Sequence, residues 1–216
     1  MKVLSIYAST NSLGAAFRDV GANVIDLSWY DVKTVNCNLK PGDVDVIVVQ
    51  PLCKTYSIAG IKYHRIKNKD GNLDPISDLA IYSDNMNIYI LKMIKELKPK
   101  VWIIENPIGG FRKMNYLNDF LEEVNGTRYS ITYCAYGDTR RKPTDIFTNM
   151  NDLIFKPMCK NGDTCHEAAP RGSRTGTQAR KNKEDKARIP KELCDYLVME
   201  SLIHAKKDKY KFMFYN

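Results

Sequence analysis

A cysteine in a turn that follows a buried strand is the first residue of this chain whose position favours chemistry. Cys53 lies in the segment 51–57 (Pro-Leu-Cys-Lys-Thr-Tyr-Ser), directly after the apolar run 46–49 (Val-Ile-Val-Val). A β-branched run of that length, stopped by a proline, predicts a central strand buried on both faces. Ligand and catalytic sites of open α/β sheets gather at the carboxyl ends of the strands. Cys53 is therefore a candidate nucleophile at that edge.

A second reactive group follows a second apolar run. Residues 101–104 (Val-Trp-Ile-Ile) predict another buried strand, which ends on Glu105, Asn106 and Pro107. Taken alone, a cysteine after a strand is more often a small buried hydrophobic residue than a nucleophile, and Glu105 could be a helix cap or a surface residue. The occurrence of both at strand ends favours a site that combines a nucleophile with an acid.

The predicted elements that position these groups alternate between strand and helix. Strand 2–7, turn 8–12, helix 13–20 and strand 24–27 form the opening of a Rossmann-like unit. Apolar spacing predicts further helices over 75–98, 116–124 and 190–205, and further strands over 129–133 and 146–147. The polar and basic stretch 55–74 predicts a surface loop. We therefore expect an α/β fold with a mainly parallel sheet.

Three separated motifs resemble those of the DNA (cytosine-5) methyltransferases, and of their compact, phage-type members in particular. These motifs are Pro51-Leu52-Cys53, Glu105-Asn106-Pro107, and Tyr136-Gly137 followed by Arg140-Arg141-Lys142. Segments 142–146 (Lys-Pro-Thr-Asp-Ile) and 159–173, which runs from Cys-Lys-Asn-Gly to Pro-Arg-Gly-Ser, also agree with the phage-type pattern. The resemblance covers most of residues 46–193. It implies a Rossmann-like, S-adenosylmethionine-dependent methyltransferase fold.

The resemblance also implies roles for the reactive residues. Cytosine C5 is a poor nucleophile, and a thiolate that adds to C6 turns the ring into an enamine able to accept a methyl group at C5. Cys53 matches that thiolate, and Glu105 matches the acid beside N3. Arg141, with Arg140 as the close alternative, matches the donor to the O2 carbonyl. Because a paired base cannot be reached, base flipping is implied.

The same resemblance implies a site for S-adenosylmethionine at the ends of the first strands. Its candidate residues are Tyr7, Ala8, Ser9, Asn11, Ser28, Trp29 and Pro51. The turn after strand one lacks the glycines that let the family's backbone approach the cofactor, and Ser28 stands where the family has an acidic residue. These departures predict weakened cofactor affinity. They also leave open an alternative function: a non-catalytic relative of these enzymes that binds nucleic acid or a host or phage protein.

The chain carries a formal charge of +8, and residues 171–188 hold seven basic side chains against Glu184 and Asp185. Clustered lysine and arginine favour a polyanion because they release counterions from phosphates, so DNA is the expected partner. A solvated surface loop would have the same composition. Arg140, Lys142, Arg171 and Arg174 are the candidate DNA contacts.

The six cysteines at positions 37, 53, 134, 159, 165 and 194 form no disulfide framework, which indicates free thiols, a metal site or catalysis. Cys159, Cys165 and His166 are of the types that bind zinc, although their spacing is unusual for it. Cys134 or Asp163 would have to supply a fourth ligand. An ordered loop held by ordinary packing is the alternative.

The expected domain organisation is a Rossmann-like catalytic core over 1–150, a small basic insertion over 151–189 that contacts DNA, and a C-terminal helical segment over 190–216 that returns to the core. No run of eighteen apolar residues occurs, and the first residues do not form a signal peptide. We therefore expect a cytoplasmic protein without a membrane partner, in keeping with a phage-infected bacterial cell.

Overall fold

The computed structural model describes residues 1–33, 39–167 and 183–211. In these ranges it contains a six-stranded sheet and a separate two-stranded hairpin. The strands are β1 (Lys2–Tyr7), β2 (Asn23–Ser28), β3 (Val46–Gln50), β4 (Arg65–Lys67), β5 (Leu73–Pro75), β6 (Val101–Pro107), β7 (Thr127–Thr132) and β8 (Pro143–Thr148). The helices are α1 (Ser12–Asp19), α2 (Ile61–His64), α3 (Asp78–Leu97), α4 (Asn115–Glu123), α5 (Lys183–Ala187) and α6 (Lys191–Lys211).

The strand order of the large sheet is β2-β1-β3-β6-β8-β7. The first four strands in this order are parallel, and β8 runs antiparallel to both of its neighbours. All residues of the central strand β3 are buried, as its β-branched run predicts. The expectation of an α/β fold with a mainly parallel sheet is therefore confirmed.

Helices cover both faces of the sheet because each face of the central strands is apolar. Leu4, Ile47 and Trp102 pack on the face that α3 and α4 cover. Val3, Val48 and Ile103 belong to the opposite core, which contains residues of α1 and α6. With both faces closed, the strand ends are the places where a ligand can reach the sheet.

The chain changes direction across the sheet between β1 and β3. Strand β1 pairs with β2 on one side and with β3 on the other, so the connections after β1 and after β3 leave the sheet in opposite directions. In open α/β sheets such a switch point leaves a crevice outside the carboxyl ends of the strands. The loop with Cys53 begins at this crevice.

The prediction of a surface loop over 55–74 was wrong. This stretch contains α2 and the antiparallel hairpin β4–β5. Its anchor is Arg65, which is 4% exposed and binds the carboxylate of Asp84 on α3 through two nitrogens. Since a buried ion pair leaves no apolar pattern in the sequence, the periodicity of the stretch did not reveal it.

Helix α3 begins three residues later than predicted, at Asp78. Ser77 caps it, since its side-chain oxygen accepts a hydrogen bond from the Ala80 N–H at 3.2 Å. Pro75, expected as the first helical residue, instead ends β5. Among the helices of the described ranges, none is long and apolar enough to cross a bilayer.

Candidate active site

A cavity of about 570 Å³ lies at the switch point, between the loops that follow β1 and β3. Its walls are formed by Ala8, Ser9, Thr10, Tyr30, Gln50, Pro51, Leu52, Cys53, Lys54, Leu79, Glu105, Pro107, Lys142, Lys186 and Ala187. Its volume is within the range of small-molecule sites. The fold thus brings Cys53, Glu105 and Lys142 to one cavity, although they are far apart in the sequence.

The thiol of Cys53 is half-buried, and it holds its proton more tightly than a free cysteine because its pKa is raised. Burial raises its pKa, the nearby Lys142 charge lowers it, and the Glu105 carboxylate raises it again. The net effect is a pKa above the usual value for cysteine. Because only the thiolate is a strong nucleophile, Cys53 must lose its proton before it can attack.

Glu105 is held on one side by a buried tyrosine. The hydroxyl of Tyr133 donates a hydrogen bond to Glu105 Oε1 at 2.7 Å, and the Lys142 Nζ lies 4.0 Å from the same oxygen. Burial and the Glu105 charge raise the pKa of Tyr133 well above its usual value, so this hydroxyl remains a donor. The carboxyl group is therefore oriented at the cavity wall by two neighbours.

Buried polar contacts anchor the Cys53 loop to α3. The Tyr56 hydroxyl donates to Asp84 Oδ1 at 2.7 Å, and the Arg65 Nε donates to the Thr55 carbonyl oxygen at 3.0 Å. The Asn87 Nδ2 donates to the Tyr56 hydroxyl at 2.9 Å. A loop that is tied to a helix through several satisfied buried groups has a defined position. These contacts hold Cys53 near the end of β3.

Lys142 is a basic residue that lines the cavity beside Cys53 and Glu105, which we call the reactive pair. Its side chain is 10% exposed, and its Nζ lies 4.6 Å from the centre of the Tyr133 ring. The same nitrogen donates to the Lys186 carbonyl oxygen at 3.3 Å. The sequence placed Lys142 among the DNA contacts, and its neighbour Arg141 at the base.

The two arginines before Lys142 do not line the cavity. Arg141 Nε donates to the Cys159 carbonyl oxygen at 2.9 Å. Arg140 is 1% exposed, and its guanidinium binds the Asp138 carboxylate and two carbonyl oxygens near the end of α5. Arg140 therefore holds α5 in this structure, and the base and DNA contacts expected of these arginines stay predictions. The candidates Arg171 and Arg174 lie outside the described residues.

Part of the predicted cofactor set lies at the cavity. Ala8, Ser9 and Pro51 line it, whereas Tyr7, Asn11, Ser28 and Trp29 do not. Trp29 is fully buried, and its Nε1 donates to the Asn87 Oδ1 at 3.0 Å. The neighbouring Tyr30 lines the cavity in its place.

Asn11 is occupied as the cap of α1. Its Oδ1 accepts hydrogen bonds from the Gly14 N–H at 3.1 Å and from the Ser5 hydroxyl at 2.6 Å. Its Nδ2 donates to Asp26 Oδ1 at 2.6 Å. The side chain therefore shapes the loop after β1, and its bonds are directed to the protein.

The location and the volume of the cavity suit S-adenosylmethionine, whereas the polar side chains that line the cavity suit it less well. The Ser9 and Thr10 hydroxyls are present at the switch-point edge where such a molecule would lie. In the described part of the chain the lining contains three lysines and one carboxylate, that of Glu105. An acidic side chain for the ribose hydroxyls is thus missing from this lining, and the weakened affinity expected from the sequence stays a prediction.

The strand order and the switch-point cavity define a Rossmann-like α/β protein. No protein-family model matches the chain. The chain is 26% identical over 182 residues to a Frog virus 3 (isolate Goorha) protein named "Probable DNA (cytosine-5)-methyltransferase", which covers 76% of the chain and 78% of that protein. The chain is also 30% identical to the Type II methyltransferase M1.HgaI of Avibacterium volantium. That alignment includes 146 residues, which are 60% of the chain and 37% of that protein. The chain is thus distantly similar in sequence to a probable DNA (cytosine-5)-methyltransferase and to a type II methyltransferase.

Solved structures give partial superpositions. The Entamoeba histolytica methyltransferase EhMeth matches with a TM-score of 0.44 and 12% identity, over 74% of the chain and 57% of that structure. The S. pombe Dnmt2 methyltransferase matches with a TM-score of 0.43 and 14% identity, over 68% and 50% respectively. The chain spans about half the length of these structures. The fold class rests on the strand order rather than on these superpositions.

Proposed function

We propose that the chain is a DNA cytosine-5 methyltransferase of compact, phage type, which methylates C5 of a flipped cytosine through Cys53. The observation that carries the proposal is the meeting of Cys53, Glu105 and Lys142 in one cavity. Strands β3 and β6 are parallel neighbours, so the thiol that follows β3 and the carboxyl group near the end of β6 lie at the same edge of the sheet. The distant sequence similarity to cytosine-5 methyltransferases supports the same chemistry.

The reaction starts when the Cys53 thiol loses its proton to solvent and the thiolate adds to C6. The new S–C6 bond moves the C5–C6 π electrons into the ring, where Glu105, protonated from solvent once the cytosine is bound, would donate a hydrogen bond to N3 and stabilise them. In this proposal Lys142, whose Nζ lies 4.0 Å from Glu105 Oε1, takes the role of donor to the O2 carbonyl that the resemblance implies for Arg141. S-adenosylmethionine, when bound, would supply the methyl group that C5 accepts and would leave as S-adenosylhomocysteine. Loss of the C5 proton to water and cleavage of the S–C6 bond then release Cys53.

DNA is the proposed partner, since the target base must leave the duplex to reach a cavity of this kind. Lys54, Lys142 and Lys186 line the cavity and supply positive charge where the flipped nucleotide would enter. Lysines of this kind neutralise phosphates and contribute affinity without reading sequence.

A second candidate is a DNA-binding protein that has lost methyl transfer. The bonding of Asn11 to its own protein neighbours and the burial of Trp29 favour it, because both remove predicted cofactor contacts. In that case the basic cavity would still hold a nucleotide.

A label-transfer experiment decides between the two functions. Incubation with S-adenosylmethionine carrying a labelled methyl group and with duplex DNA of mixed sequence should place the label on cytosine C5, as mass spectrometry of the digested DNA would show. Cys53→Ser should give no label while still binding DNA. If the wild-type protein transfers no label and releases no heat with S-adenosylmethionine in calorimetry, yet shifts DNA in gels, the non-catalytic function holds.

A further inference from the structure

We infer that Cys134, Cys159 and Cys165 bind one zinc ion, outside the reaction cavity, with His166 as the fourth ligand. The three Sγ atoms lie within 4.8 Å of one another, although Cys134 is separated from the other two by the whole of β8. All three are free thiols. The cluster is independent of Cys53 and of the proposed methyl transfer.

The sulfur positions are close to those of a tetrahedral site. With zinc–sulfur bonds of about 2.3 Å, two sulfur ligands of a tetrahedral zinc are about 3.8 Å apart. A separation of at most 4.8 Å therefore requires shifts of about 1 Å or less. Thiolates are ligands that zinc prefers, and a site with four protein ligands is structural in type. The sequence alone leaves the choice between Cys134 and Asp163 open, and the structure brings Cys134 to the other two cysteines.

His166 lies beside one of the three sulfurs, that of Cys165. Its Nδ1 lies 3.4 Å from the Cys165 Sγ, which is close to the edge of about 3.6 Å that joins a sulfur and a nitrogen ligand of a tetrahedral zinc. Its Nε2 is buried and has no hydrogen-bond partner among the described residues. Buried ring nitrogens are nearly always satisfied, so this imidazole is only partly accommodated by protein contacts. A turn of its ring toward the other two sulfurs completes the set.

The proposed ion would join two segments that border the active site. The Cys159 N–H donates to the Thr132 side-chain oxygen at 3.0 Å, and the Cys159 carbonyl accepts from Arg141 Nε at 2.9 Å. A zinc ion at Cys159 and Cys134 would therefore fasten the chain after β8 to the turn after β7. In doing so it would keep Arg141 in its present position, one residue before Lys142.

Metal analysis of the full-length chain tests the inference. The protein, purified under reducing conditions without chelator, should contain one zinc per chain by mass spectrometry. Cys134→Ser, Cys159→Ser and Cys165→Ser should each lower this content at least several-fold, and Cys53→Ser, at another half-buried thiol, should keep it. After exchange with Co²⁺, the spectrum should show thiolate charge-transfer bands and tetrahedral d–d bands, and His166→Gln should shift the d–d bands.

Two results would overturn the inference. One is a reduced, folded protein, as judged by circular dichroism, that takes up neither Zn²⁺ nor Co²⁺ when supplied with either. The other is a disulfide between two of the three cysteines, seen by intact mass and peptide mapping of the protein as isolated. If the serine variants fail to fold, chelation of the wild-type protein replaces them, and the expected result is a lower unfolding temperature that added zinc restores.

Discussion

The hydroxyl of Tyr133 donates a hydrogen bond of 2.7 Å to Oε1 of Glu105, a residue that lines the cavity. Tyr133 is fully buried and Glu105 is 5% exposed, so water does not compete for this contact. The relationship orients the carboxyl group that the proposed reaction needs at the cytosine ring. It also links the turn after β7 to β6.

Replacing Tyr133 with phenylalanine removes this donor, together with the contact of the hydroxyl with the Thr144 side chain, and keeps the ring. A hydrogen bond to a charged group contributes about 1.5–3 kcal/mol, so Tyr133→Phe should lower stability by a similar amount and slow methyl transfer about 10- to 100-fold. Urea unfolding and single-turnover label transfer measure the two effects. Tyr129→Phe is the control, since its hydroxyl donates to the Met150 carbonyl away from the cavity. Equal rates for the two variants would contradict the role of Tyr133.

The reactivity of Cys53 should rise with pH and respond in opposite directions to its two charged neighbours. Burial keeps the pKa of the thiol above the usual value, so alkylation by iodoacetamide should still accelerate above pH 9. Lys142→Met removes the charge that lowers the pKa and should slow alkylation, whereas Glu105→Gln removes the charge that raises it and should speed alkylation. Peptide mass spectrometry isolates the Cys53 adduct. A common direction of change in both variants would refute this electrostatic account.

The same raised pKa predicts how stability depends on pH. A cysteine that holds its proton more tightly in the folded state than in the unfolded state stabilises the fold below the unfolded pKa. This contribution is lost as the pH rises from about 9, the unfolded value, through the folded pKa. The slope of the unfolding free energy between pH 8 and 10, measured by urea unfolding, should therefore be less negative for Cys53→Ser than for the wild type. Identical slopes would show that burial does not perturb this thiol.

The Arg65–Asp84 ion pair should be among the costly contacts to break. The Arg65 side chain is fully buried, and removal of one partner of a buried pair leaves an uncompensated charge worth about 3–5 kcal/mol. Asp84→Ala should lower the unfolding free energy by that amount and displace the Cys53 loop, measured as altered alkylation of Cys53. The exposed pair Lys92–Glu96 on α3 supplies the control. Glu96→Ala should change stability by less than about 1 kcal/mol, and an equal loss in both variants would show that burial is not the cause.

Gly14 allows the Asn11 cap, and a double-mutant cycle should reveal it. A Cβ at position 14 would lie 2.2 Å from Asn11 Oδ1 and 2.7 Å from the Ser5 hydroxyl oxygen. Gly14→Ala should therefore cost about 1–3 kcal/mol of stability. In the Asn11→Ala background the same change should cost clearly less, because one of the two clashing groups is gone. Additive losses in urea unfolding would rule out this contact as the cause.

Cys53 and Glu105 could be recognised from the sequence because each follows a short apolar run that predicts a buried strand. The runs 46–49 and 101–104 are apolar over their whole length, which identifies central strands without tertiary information. Cys53 and Glu105 follow those runs, and parallel neighbours must end at the same edge. The sheet type and the location of the cavity follow from the same reasoning.

The tertiary structure decided which side chains accompany that pair. Tyr133 meets Glu105 across 28 positions, Arg65 meets Asp84 across 19, and neither contact has a periodicity that a sequence pattern could show. The sequence likewise does not show that Lys142, rather than Arg141, lines the cavity. Which of two adjacent basic side chains faces the cavity depends on the backbone conformation in the folded protein. The sequence also left the partner of Cys159 and Cys165 open, and the fold brings Cys134 to them. Local pattern determines where strands end, whereas the contacts among buried polar groups depend on how distant segments pack.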